Sequence, residues 1–180
     1  MRVFISDLSV KRNRYGSYYE ILGELQSGLE IYIEDHYYDL EECIGRHVEM
    51  LLSVLRSPYL ELERGINNDQ LFAPWKYYSI EVIEEMKKKM GSRSVNSKKN
   101  LILSGEFIDS YVIPEGWIPC ITSDLYKGLF LRKKPSALRT EDGLFLLRSV
   151  HLEKKVPIEQ FPQQVTIGTG CIDLVAWYPL

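Results

Sequence analysis

A mainly β (α+β) fold with one amphipathic helix is what the chain predicts, on three observations. Residues 19–34 alternate apolar and polar side chains with period two, the mark of half-buried strands. Residues 47–56 form a nearly continuous apolar run of strand length, expected of a strand covered on both faces. Only one stretch, residues 79–90, combines helical spacing with charges that suit a helix dipole. The 180 residues, 45% apolar with 12 tyrosines, are enough to bury a core and exclude intrinsic disorder over most of the length.

In the first element Tyr19, Ile21, Gly23 and Leu25 alternate with Glu20, Leu22 and Glu24. After Ser27-Gly28, Leu29, Ile31 and Ile33 alternate with Glu30, Tyr32 and Glu34, so strands at 18–26 and 29–34 form a hairpin with an acidic outer face. Asp39, Glu42 and Gly45 have the spacing of one capped helical turn closed by glycine. The strand His47–Arg56 follows and turns Val48, Met50, Leu52 and Val54 one way, with Leu51 and Leu55 on the opposite face. Pro58 and Gly65-Ile66-Asn67-Asn68-Asp69 mark irregular chain, anchored by Phe72, Pro74 and Trp75.

Ser79 caps the expected helix 79–90, Glu81, Glu84 and Glu85 lie early, Lys87, Lys88 and Lys89 late, and Gly91 follows the end. Ile80, Ile83, Met86 and Met90 form its buried stripe. A flexible basic loop spans 91–100, and a long strand spans Leu101–Ile113. Pro114, Gly116 and Pro119 then break the chain around Trp117. A second hairpin joins Gly128–Lys133 to Leu144–Leu152 through a connection ending in Asp142-Gly143. Val165–Ile167 and Cys171–Trp177 make a last apolar β segment, interrupted by Gly168 and Gly170.

Three strands, a helix, then more strands is an order that resembles the OB-fold, a small five-stranded barrel. The matching segments are 18–26, 29–34, 47–56, helix 79–90, 101–113 and 144–152. The resemblance implies a small antiparallel barrel with irregular insertions, and it rests on element order without a diagnostic motif. The chain reads as a single domain over 1–180, with sub-lobes at 1–75 and 100–180 joined by the helix and the basic loop. Leu22-Gly23-Glu24-Leu25 and Ser104-Gly105-Glu106-Phe107 are alike, but four residues do not establish a repeat.

Charge is segregated. Residues 20–63 hold eleven Asp or Glu against Arg46 and Arg56 alone, and residues 86–99 hold six Lys or Arg and no acid. The acidic block, with Glu20, Glu24, Glu30 and Glu34 interleaved with Tyr32, Tyr37 and Tyr38, suits a protein partner with a basic surface. The competing account is a sheet face solvated by acids. The basic block, Lys87, Lys88, Lys89, Arg93, Lys98 and Lys99, with Lys127, Arg132, Lys133, Lys134 and Arg139 later, supplies an alternative. It suits a single-stranded nucleic-acid binder with Tyr18, Tyr32, Tyr37 and Tyr38 as stacking platforms, although those tyrosines lie where phosphates are repelled. Part of it is also explained by helix capping.

Catalytic chemistry finds no foothold in the pattern. Asp35, His36 and Asp39, with Glu34 and Glu41, offer hard-cation ligands but lack metal-site spacing, and a solvated acidic loop accounts for them better. Cys43, Cys120 and Cys171 have no GxSxG-like or cysteine-protease context and read as structural thiols. Gly168-x-Gly170 opens no helix, so it is a turn or bulge and not a dinucleotide loop. No cofactor and no metal are expected. The first residues match no signal peptide, no run reaches a membrane span, and three cysteines without CxxC spacing suit a reducing cytoplasm. The expectation is a non-catalytic interaction protein.

Overall fold

The computed structural model describes residues 1–14, 16–36, 38–56, 101–108, 110–114, 135–148 and 164–179. Its strands are β1 (Arg2–Asn13), β2 (Gly16–Glu24), β3 (Glu30–Asp35), β4 (His47–Arg56), β5 (Leu101–Ile108), β6 (Ala137–Thr140), β7 (Gly143–Arg148) and β8 (Gln164–Pro179). The expected helix 79–90 and the strand at Gly128–Lys133 lie outside the described residues. Among those described, the one helical element is the 3-10 turn Glu41–Cys43, where Glu41 N donates to Asp39 Oδ1 and Gly45 takes a φ of 79°.

The fold is mainly β, and the early elements follow the alternation in the sequence. β2 and β3 pair as an antiparallel hairpin that buries Ile21, Ile31 and Ile33 to 1% exposure or less. β4 has the predicted bounds, and its two faces pack into different clusters. Val48, Met50, Leu52 and Val54 join the larger core, while Leu51 packs with Ala137, Leu146, Val175 and Ala176.

Four expectations need correction. Residues 2–13, not expected to be a strand, form β1: Val3 and Ile5 are buried, then a bulge between Ile5 and Asp7 shifts the alternation and obscures it. The partner of β7 is Ala137–Thr140, directly across a turn at Glu141-Asp142, so the connection ending in Asp142-Gly143 is much shorter than expected. β8 runs unbroken through Gly168 and Gly170. The sheet is not wholly antiparallel either: β3 with β8 and β4 with β7 pair in parallel.

The eight strands among the described residues form one sheet in the order β1-β2-β3-β8-β4-β7-β6-β5, and further pairings of β1 with β4 and β5 with β8 close it on itself. The result is two rings of five strands that share the long β4–β8 ribbon: β1-β2-β3-β8-β4 and β5-β6-β7-β4-β8. They correspond by an approximate two-fold relation. In each half a three-strand meander is followed by a fourth strand that pairs back on the first, antiparallel, and the third strand pairs in parallel with the fourth strand of the other half.

The rings also meet through their turns. Ser27, in the β2–β3 turn, donates from its N–H to Asp142 Oδ1 at 2.7 Å and from its hydroxyl to Asp142 Oδ2 at 2.8 Å. Close approach holds Gly105 and Gly143 to glycine. A Cβ on Gly105 would strike the Arg139 carbonyl of β6, and one on Gly143, where φ is 134°, would lie 2.7 Å from Met1 Cβ.

Candidate interaction surface and polar junction

The acidic surface forms because register partners share a face. Across β2 and β3 the outward pairs are Glu20 with Glu34, Leu22 with Tyr32, and Glu24 with Glu30, while Ile21 with Ile33 and Gly23 with Ile31 turn inward. Five of the seven residues expected to bind a partner (Glu20, Glu24, Glu30, Tyr32 and Glu34) are therefore collected on one face. They are not equally available. Glu24 and Glu30 are exposed and Tyr32 is half-buried, whereas Glu20 is only 8% exposed and lies 3.6 Å from Lys11.

The other two do not join them. Tyr37 lies outside the described residues. Tyr38 packs on the core, its hydroxyl donates to the Val175 carbonyl at 3.3 Å, and its N–H donates to Asp35 Oδ1 at 2.9 Å. A pocket of about 310 Å³ opens beside Glu24, lined by Arg2, Phe4, Leu25, Gln26 and His47, with the Phe4 and His47 rings edge to face. Lys87, Lys88, Lys89, Arg93, Lys98 and Lys99 lie outside the described residues. Arg139 is described, and it donates to Glu106 at 2.8 Å.

A second polar group lies where β3 meets β8. Parallel pairing sets Glu34 beside Asp173, and Cys171, two residues earlier on β8, shares their face. One ligating atom from each of Glu34, Cys171 and Asp173 lies within 4.8 Å of the others. The Cys171 thiol donates to Asp173 Oδ1 at 3.5 Å, and His36 Nε2 is 3.5 Å from Glu34 Oε2, with the Tyr18 ring against the imidazole. Asp173 is 3% exposed.

Sequence reasoning considered Asp35, His36 and Asp39 as the ligand group, which the fold separates. Asp35 accepts from Tyr38 N and Asp39 from Glu41 N, leaving His36 beside Glu34. The β8 residues were out of its reach, because nothing near Glu34 in the chain foretells a parallel partner from the other half. Neither Cys43 nor Cys171 forms a disulfide.

No protein-family model, curated protein or solved structure matches this chain. Among the described residues no helix is long and apolar enough to cross a membrane.

Proposed function

We propose that this chain is a non-catalytic interaction protein of a reducing, cytoplasmic compartment, presenting the outer face of β2–β3 to a basic protein partner within a larger assembly. The observation that carries this reading is the pairing of like charges: Glu20 stands opposite Glu34 and Glu24 opposite Glu30. Directly opposed like charges destabilise a sheet by up to about 1 kcal/mol a pair, a cost that an approaching cationic surface removes. Lys11 offsets Glu20, so the face left for a partner centres on Glu24, Glu30 and Tyr32. The charge steers association, and Tyr32 and Leu22 supply apolar contact between the acids.

Affinity purification of the full chain from native extract, with mass spectrometry, tests this. A specific basic partner is expected with the wild type and is lost with Glu24→Lys/Glu30→Lys. A partner retained by that variant overturns the assignment to this face.

A second reading, a single-stranded nucleic-acid binder built on OB-like rings, draws support from the two five-strand closures and from Lys11 and Arg12 exposed on the β1–β2 ribbon. It requires oligonucleotide affinity that falls steeply with salt, with a log–log slope of about −0.7 per phosphate neutralised. Absence of binding at low salt removes it.

A further inference from the structure

We propose that the β3–β8 junction is a binding site for a divalent transition-metal ion of the zinc class, held by Cys171, Asp173 and Glu34 and completed by His36. This goes beyond partner binding and does not depend on it. The three donor atoms already lie within 4.8 Å of one another. Around a tetrahedral zinc, ligand bonds of about 2.0–2.3 Å place donors roughly 3.3–3.8 Å apart, so small side-chain rotations close the site. His36 stands next to this group, its Nε2 3.5 Å from Glu34 Oε2, and rotation of its side chain would supply the fourth donor. A set of one sulfur, two carboxylates and one imidazole favours a borderline-soft ion over magnesium or calcium, which prefer oxygen alone.

Two further observations point to the same place. Ser53 is 0% exposed and its hydroxyl makes no hydrogen bond, yet it is the register partner of Asp173 on the adjacent strand and so shares its face. A buried hydroxyl without a partner costs about 1–3 kcal/mol, and ligating carboxylates are commonly oriented by such an outer donor. The two-fold relation supplies the other. At the corresponding β4–β7 junction the parallel pairs are Leu52 with Phe145, Ser53 with Leu146, Val54 with Leu147 and Leu55 with Arg148. No carboxylate and no thiol stands in any of them, so the topology does not demand the Glu34–Asp173 pair.

Coordination replaces the thiol proton: the Cys171 S–H bond breaks, its electron pair forms the sulfur–metal bond, and the proton leaves to solvent. Nothing is oxidised or reduced.

Titration of the full chain with Co²⁺ followed by Zn²⁺ tests the site. One equivalent of Co²⁺ is expected to give a thiolate-to-cobalt charge-transfer band that Zn²⁺ displaces. Cys171→Ser should abolish the band, Asp173→Asn should weaken Zn²⁺ binding at least tenfold, and Cys43→Ser should change neither. No band with folded wild type, or a band that survives Cys171→Ser, overturns the proposal. Should either of the variants at Cys171 or Asp173 fail to fold, alkylation of wild-type Cys171, followed by peptide mass spectrometry, decides the question. Zn²⁺ should slow it at least tenfold in wild type and less in Glu34→Gln; an unchanged rate in wild type overturns the proposal.

Discussion

At the scale of single residues, close approach sets the tightest limits. Gly105 lies against the Arg139 carbonyl, so Gly105→Ala must push β5 from β6 and is expected to cost about 1–3 kcal/mol in urea denaturation. Phe145, 0% exposed, is among the largest fully buried side chains, and Phe145→Ala should cost about 3–5 kcal/mol by the same measurement. Asp142 is more modest. Its two hydrogen bonds to Ser27 join exposed turns, so Asp142→Ala should lower stability by about 1 kcal/mol. A loss near zero would mean that the turns do not hold the rings together.

At the scale of elements, the β2–β3 hairpin links stability to binding with opposite signs. Glu30→Lys places a cation opposite Glu24 and should raise thermal stability by up to about 1 kcal/mol while reducing partner capture. A fall in stability would show that the pair is not repulsive in the folded protein. Wild-type stability should also rise modestly from low to moderate salt, because screening weakens the repulsion between Glu24 and Glu30. The hairpin was readable in the sequence because its period matches its burial. β1 was not, because one bulge moves Leu8 and Val10 out of phase with Val3 and Ile5, and Val10 ends 65% exposed.

For the whole molecule, the shared ribbon makes the halves interdependent. β8 completes the ring of the first half and β4 the ring of the second, so neither sub-lobe holds all five strands of its ring. Residues 1–75 and 100–180, produced separately, should each lack a cooperative unfolding transition and regain one when combined. In the intact chain Leu52→Ala, at the centre of the ribbon, should cost about 2–5 kcal/mol and leave a single transition. Two separated transitions would show that the rings are independent units. Hydrogen exchange should be slowest in β4 and β8, each of which is paired along both edges.

Alternation and apolar runs lie within a few residues of each other, so the sequence by itself determined the β class, the hairpin with its acidic face and the bounds of β4. It also placed Glu24, Glu30 and Tyr32 on one surface, since residues two apart on a strand share a face. Only the tertiary structure decided that the strands close into two rings, that β3 takes a parallel partner from the far half, and that Cys171 and Asp173 stand beside Glu34. Those contacts depend on which strand edges remain open once the hairpins have formed, and no local pattern records that choice.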